Sequence, residues 1–174
     1  MTVLVASSLL AGPAIAVADV SPPGDIPDNQ AFVTYRGAGF SLKTPEGWVR
    51  AGAARSVTFS DKYNAITVQV RALATAPTVA SATRSEVPRL ASTVNGFARG
   101  TVTIVRRASG RAILITYRAS SAASTVTGKR VVNDVERYEF WRRGKLATVT
   151  LQAPHGSDNV DAWKLVTDSF RWTP

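Results

Sequence analysis

Few residues of this chain belong to the types that carry out catalysis. There is no cysteine and a single histidine, His155. A Ser-His-Asp triad or a histidine-ligated zinc site would therefore have to use His155. It lies between Pro154 and Gly156, and the chain contains neither Gly-x-Ser-x-Gly nor Ser-x-x-Lys. This setting favours a surface-loop histidine, and we predict a protein that is not an enzyme and holds no cofactor.

A cluster of oxygen ligands precedes the first predicted strand. Asp25, Asp28 and Asn29 would suit calcium, but that ion takes about six to eight oxygen ligands. Three prolines between residues 22 and 27 instead favour an extended tether. We predict no metal site.

The acidic residues of the later chain concentrate on one predicted strand. Glu136 on this strand could form an acid–base couple with Glu46 or Glu86. Cross-strand ion pairs with the abundant arginines are the expected alternative.

The chain carries a net charge of +9, with 16 arginines and 5 lysines. Residues 99–145 hold a local excess of eight positive charges. We expect an exposed positive face that binds anionic lipid or an anionic envelope polymer in a salt-sensitive way. The alternative is that the arginines only cover the solvent side of a sheet. The candidate binding residues are Arg106, Arg107, Arg111, Arg118, Lys129, Arg130, Arg142 and Arg143.

The aromatic residues allow two further interpretations. Trp48, Trp141 or Trp163 could line a pocket between sheet and helix, as in a small-molecule carrier or a hydrolase, although large aromatic residues are more often core. In residues 137–143 basic residues are interleaved with aromatic ones, which resembles a single-strand nucleic-acid platform. An exported protein would rarely meet nucleic acid, and we expect no nucleic-acid partner.

The elements that must position these residues are mostly strands. Residues 65–71 alternate cleanly, which predicts that Ile66, Val68 and Val70 are buried and that Arg71 points away. Residues 130–142 have two apolar faces, which indicates a central strand. Other strands are predicted at 32–35, 40–43, 56–60, 102–107, 111–118 and 145–153.

Two segments have helical periodicity. In residues 78–95, Pro88 opposes a helix interior, so Ser85 is predicted to cap a helix with Pro88 in its first turn. A second helix is predicted from Ser157 or Asp158 to Phe170, with an apolar stripe at Val160, Trp163, Thr167 and Phe170. Short connections require antiparallel pairing. The fold class is α+β, with one antiparallel sheet of about six to eight strands and two helices packed on it.

The first eighteen residues predict export. They carry no charge and end in Ala14-Ile15-Ala16-Val17-Ala18, which offers two signal-peptidase sites and predicts a mature N-terminus near Val17 or Asp19. The basic residue that usually opens a signal peptide is missing. An uncleaved membrane anchor is the alternative, although a span needs about 20 apolar residues and Gly12-Pro13 interrupts this run. We predict a signal segment at 1–18, a proline-rich linker at 19–31 and one domain at 32–174.

Residues 40–48 read Phe-Ser-Leu-Lys-Thr-Pro-Glu-Gly-Trp, and the strands at 57–59 and 64–68 follow them. This arrangement resembles the start of a PsbP-like domain, and the order of elements over residues 32–173 is similar too. Residues 25–30 followed by Phe32-Val33 resemble exported actinobacterial members, many of them lipoproteins. The chain departs from those by lacking the lipidated cysteine, and from photosystem members by lacking a manganese or calcium pattern.

The resemblance implies an α/β/α sandwich and a non-enzymatic role in binding or assembly. We therefore expect a non-catalytic, exported cell-envelope protein, either extracellular or envelope-associated. Its expected partner is a membrane protein complex or an anionic envelope surface.

Overall fold

The computed structural model describes residues 24–123 and 128–174. Within them lie ten strands: β1 (Phe32–Gly37), β2 (Phe40–Pro45), β3 (Val49–Ala53), β4 (Ser56–Asp61), β5 (Asn64–Ala72), β6 (Ala98–Arg107), β7 (Gly110–Ser120), β8 (Val132–Arg142), β9 (Lys145–Pro154) and β10 (Arg171–Trp172). The helical elements are α1 (Val79–Ser81), a π-helical turn (Ala82–Glu86), α2 (Val87–Thr93) and α3 (Val160–Ser169). Within this part of the chain, no helix is both long and apolar enough to cross a membrane.

The strands form two antiparallel sheets. The larger has seven strands in the order β3-β4-β5-β9-β8-β7-β6, and the smaller has the order β1-β2-β10. One core joins the larger sheet to the smaller sheet and α3, through residues such as Phe40, Val149 and Phe170. A second core joins its opposite face to the π-turn and α2, through Ala82, Leu90 and Ile115. The predicted α+β class and its layered arrangement are confirmed. The division into two sheets was not predicted, and neither were strand β3 of the larger sheet and strand β10 of the smaller one.

The alternation in β5 is confirmed. Ile66 and Val68 are buried, and Val70 packs against the same core. Gln69 and Arg71 are exposed on the other face, where Thr67 is hydrogen-bonded to Thr58. β8 is central as predicted, because Phe140 belongs to one core and Val135 to the other.

The first helix begins earlier than predicted. Its N-cap is Thr78, whose hydroxyl accepts the Ser81 amide at 3.0 Å, and not Ser85. Pro88 lacks an amide proton and its ring clashes with the carbonyl four residues earlier in an α-helix. The wider π-turn immediately before α2 lets the helix continue through this position.

The last helix exposes one residue of its predicted stripe. It begins after Asn159, and Val160 is 71% exposed. Val166 and Thr167 are the residues it buries, because Asn159 is tied into the protein and sets where the first turn faces.

The domain begins before residue 32. Ile26 is buried, its amide donates to Asn159 Oδ1, and the Asp158 amide donates to Asp25 Oδ1. Residues 24–26 are therefore packed against the domain, whereas Pro27, Asp28, Asn29 and Ala31 are exposed. The predicted signal segment, residues 1–18, lies outside the described residues.

Candidate functional site

Eight basic residues gather at one end of the seven-stranded sheet. The β6–β7 and β8–β9 turns lie side by side there, because Ala112 pairs with Phe140 on the adjacent strands. β5 ends beside them, with Arg71 opposite Leu146, and the Arg55 carbonyl accepts the Val70 amide. We call this cluster the basic end; it consists of Arg55, Arg71, Arg106, Arg107, Arg111, Arg142, Arg143 and Lys145.

The eight residues predicted from the sequence do not form one face. Arg106, Arg107, Arg111, Arg142 and Arg143 lie at the basic end. Arg118 lies near the opposite end of the sheet, opposite Asp134, and Lys129 and Arg130 precede β8 at that end. Arg118 and Arg111 are about 23 Å apart along one strand. Seven of the eight residues are exposed, as expected, and the exception is Arg107. Whether they bind a partner stays a prediction.

Two cross-strand pairs at the basic end are like-charged. Arg106 is directly opposite Arg111, and Arg142 is directly opposite Lys145. Within residues 24–123 and 128–174, none of these four side chains forms an ion pair. Like charges directly opposite each other in a sheet are destabilising. The fold therefore keeps this charge at a cost in stability.

Arg143 adds a second cost. Arg143 and Gly144 connect β8 to β9, with φ angles of 46° and 76°. A two-residue hairpin of this kind favours Asn or Gly. A side chain in this left-handed region costs about 1 kcal/mol.

The side chain of Arg107, besides lying at the basic end, connects the sheet to α3. Its guanidinium donates to Thr167 Oγ1 at 2.9 Å and to the Tyr138 hydroxyl at 2.8 Å, and lies 3.8 Å from Asp168. Tyr138 in turn donates to Glu136 Oε2 at 2.7 Å. Burial and the neighbouring Glu136 carboxylate raise the pKa of Tyr138, so it stays a donor. This chain of contacts joins α3 to the sheet.

Two adjoining grooves run across the basic end. One, of about 470 Å³, is lined by Arg142, Arg143, Lys145 and Trp172. The other, of about 510 Å³, is lined by Arg55, Arg71 and again Lys145. Trp172 is half-buried with its ring 5.4 Å from Phe170, edge to face.

Sequence reasoning missed several of these lining residues. Arg55, Arg71, Lys145 and Trp172 come from four separate segments. Only the strand order brings them together, so no local pattern could have grouped them.

A third pocket lies at the opposite end, between the sheet and the start of α3. Its volume is about 510 Å³, and Thr116, Arg118, Asp134, Glu136 and Trp163 are among its lining residues. The predicted pocket near Trp163 is therefore present. Trp48 packs against the main core, and Trp141 donates from Nε1 to the Leu73 carbonyl at 2.8 Å.

His155 stands at the rim of this end. Its Nδ1 lies 2.7 Å from Asp134 Oδ2, and its side chain is 48% exposed. No hydroxyl group of the described residues is hydrogen-bonded to it. Burial alone would raise the pKa of Asp134, but contacts from His155, Gly156 and Arg118 outweigh it and lower that pKa. The arrangement is that of a surface hydrogen bond between His155 and Asp134.

The predicted couples of Glu136 are not formed. Glu136 lies on the α3 face of the sheet, whereas Glu86 lies on the other face with Glu139. No contact between Glu136 and Glu46 is present among the described residues. Arg137 instead bridges Glu86 and Glu139, at 2.7 Å from the first carboxylate and 3.9 Å from the second. Nowhere in the described ranges do three acidic or histidine side chains form a potential metal site.

Comparison with solved structures identifies the fold. The chain matches cyanobacterial PsbP (CyanoP) from Synechocystis with a TM-score of 0.55 and 16% identity, over 93% of this chain and 100% of that one. The fold is PsbP-like. The Saccharomyces cerevisiae Ran-binding protein Mog1p matches with a TM-score of 0.52 and 10% identity, over 83% and 95% of the two chains.

A third match is a mycobacterial envelope protein. LpqN, described as involved in cell envelope biogenesis of Mycobacterium tuberculosis, matches with a TM-score of 0.49 and 14% identity, over 84% and 93% of the two chains. No protein-family model and no curated protein matches the sequence. At these identities the likeness concerns the fold alone, and the PsbP-like resemblance of residues 32–173 is confirmed at that level.

Proposed function

We propose that this protein is an exported, non-catalytic envelope protein that docks on an anionic lipid surface through the basic end, as a binding or assembly factor. The observation that carries this proposal is the concentration of cations there, of which four form two like-charged cross-strand pairs and make no ion pair with any described acidic residue. Features that lower the stability of a fold and make no stabilising contact of their own are typical of functional sites.

The charge is distributed unevenly over the molecule. The opposite end mixes its cations with carboxylates, as in the 3.2 Å pair of Arg118 with Asp134. At the basic end, Asp168 pairs with Arg107, and Glu86 and Glu139 attract Arg71. The other six cations form no ion pair within residues 24–123 and 128–174. A protein with this asymmetry meets an anionic surface with the basic end first.

Lipid headgroups are favoured over a soluble polymer by the groove that contains Trp172. An indole beside cations suits the boundary between headgroups and acyl chains, where aromatic and basic residues are both enriched. Each Lys or Arg near an anionic membrane contributes about 1 kcal/mol. Four or five such residues provide reversible, salt-sensitive attachment.

Vesicle co-sedimentation tests the proposal. The wild-type protein should bind vesicles that contain phosphatidylglycerol, should not bind pure phosphatidylcholine, and should dissociate as salt is raised. Reversing two charges in Arg142→Glu/Arg143→Glu should weaken binding about a hundredfold or more.

The matched control is Lys129→Glu/Arg130→Glu, which changes the net charge equally at the opposite end. It should retain most of the binding. Equal binding to neutral and anionic vesicles would overturn the proposal, and so would equal losses in the two double variants. If the protein binds a soluble anionic polymer and anionic vesicles cannot compete with it, the partner is the polymer and not the lipid surface.

A further inference from the structure

The pocket at the end opposite the basic end contains charged groups whose hydrogen-bonding capacity is only partly used by the described residues. Asp134 has both carboxylate oxygens engaged, one by Arg118 and the other by His155 and Gly156. Glu136 accepts from Tyr138 with Oε2 only. Its other oxygen has no hydrogen-bond partner among the described residues. Glu136 is half-buried and lines the pocket, so this oxygen is available to a ligand donor.

Glu136 is also held in a fixed orientation. Tyr138 donates to it at 2.7 Å and is itself held by Arg107 at 2.8 Å. Arg107 in turn donates to Thr167 on α3. A carboxylate positioned by three successive contacts loses little conformational entropy when it accepts a ligand donor.

A cationic side chain lies diagonally across from it. Glu136 pairs with Thr116, and Arg118 pairs with Asp134, so Glu136 and Arg118 are diagonal neighbours about 7–8 Å apart. They form no ion pair with each other. Arg118 uses Nε for Asp134, and its two terminal nitrogens have no hydrogen-bond partner within residues 24–123 and 128–174. The pocket thus presents the Glu136 carboxylate as an acceptor and the two terminal nitrogens of Arg118 as donors, with a gap between them.

The wall also has an apolar part at the start of α3, beside polar lining residues that include Arg99, Thr116 and Ser157. Trp163, half-buried on α3, lines the pocket, and so does Val160, which is 71% exposed at the start of the same helix. An exposed valine beside an indole is a surface that an apolar group would cover favourably.

We infer that this pocket binds a small zwitterion with an apolar side chain, of the α-amino-acid type. The ligand ammonium donates to Glu136, the ligand carboxylate accepts from the terminal nitrogens of Arg118, and the side chain packs on Trp163 and Val160. Both charged contacts are of the strong, charge-assisted kind. Neither residue that would contact the ligand charges belongs to the basic end, so the inference stands whether or not the protein binds lipid.

Three related probes test each contact on the wild-type protein by calorimetry. L-Phenylalanine carries both charges, N-acetyl-L-phenylalanine lacks the ammonium, and L-phenylalaninamide lacks the carboxylate. Phenylalanine should bind, and each blocked analogue should bind at least about tenfold more weakly. Phenylalanine should also shift the indole N–H resonance of Trp163, assigned through Trp163→Phe.

Two variants locate the contacts. Glu136→Gln keeps an acceptor for Tyr138 and should abolish the preference for phenylalanine over its N-acetyl form. Arg118→Gln should abolish the preference over the amide, while Glu46→Gln, outside the pocket, should change neither. Unfolding temperatures show whether each variant is folded, and the wild-type titrations stand even where one is not. Failure of all three probes to bind at millimolar concentration would overturn the inference, as would equal binding of phenylalanine and either analogue.

Discussion

Arg111→Glu should make the protein more stable and weaken its attachment to anionic vesicles. Arg111 faces Arg106 across the β6–β7 hairpin, and no described acidic side chain forms an ion pair with either. The substitution removes a like-charge pair and creates an opposite-charge pair, each worth about 0.2–1 kcal/mol. The free energy of unfolding should therefore rise by about 1 kcal/mol, and the unfolding temperature by about 2–4 °C.

The assay pairs thermal unfolding at low salt with vesicle co-sedimentation on the same samples. Raising the salt should shrink the gain in stability, because both arginines are exposed and the screening length falls to about 10 Å at 0.1 M. Arg84→Glu is the control for net charge, since Arg84 is exposed and lies on the π-turn, away from the two hairpins. It should leave vesicle binding almost unchanged. A loss of stability in Arg111→Glu, or unchanged binding, would refute the reasoning.

Four further outcomes follow from the structure. Arg143→Asn should stabilise the β8–β9 turn by up to about 1 kcal/mol, because Asn tolerates the positive φ, and should weaken vesicle binding; a lower unfolding temperature would contradict this. Asn159→Ala should cost about 3 kcal/mol in chemical denaturation, because it removes hydrogen bonds to Ile26, Gly24 and Asn64, and a loss below about 1 kcal/mol would contradict it. Burial raises the pKa of Glu139 despite the attraction of Arg137. The cost of its charge to stability is therefore absent below the unfolded pKa near 4.5 and complete above the folded pKa. Glu139→Gln should stabilise the protein at pH 7.5 and lose that advantage at pH 4, and a gain independent of pH would contradict this. In a secreting host, N-terminal sequencing should find a mature N-terminus near Val17 or Asp19, and Met1 on a cytosolic protein would end the export interpretation.

Local patterns in the sequence were sufficient for most of the fold. The alternation of Ile66, Val68 and Val70 depends only on which side of one strand is buried, and a single strand shows that. The two apolar faces of β8 indicated its central position for the same reason. The start of the first helix was wrong because Pro88 was expected to require a new helix, whereas a π-turn accommodates it.

The functional surface depended on information that is not local. Which arginines share an end of the sheet follows from strand order and register, so Arg118 was grouped with Arg111 although they lie at opposite ends. Arg107 meets Asp168 and Thr167 from a helix about sixty residues later in the chain, and no spacing indicates that contact. The sequence predicted a pocket between sheet and helix near Trp163. Assigning the polar residues Glu136 and Arg118 to it required the register of β7 and β8.

The most direct test of docking through the basic end is hydrogen–deuterium exchange with and without phosphatidylglycerol vesicles. Bound vesicles should slow amide exchange around the two hairpin turns, residues 106–111 and 142–145, and around Trp172. They should leave residues 154–159, at the opposite end, unchanged. Slowed exchange at residues 154–159 with none at the two turns would show that the protein meets the surface by its other end, and would contradict the account.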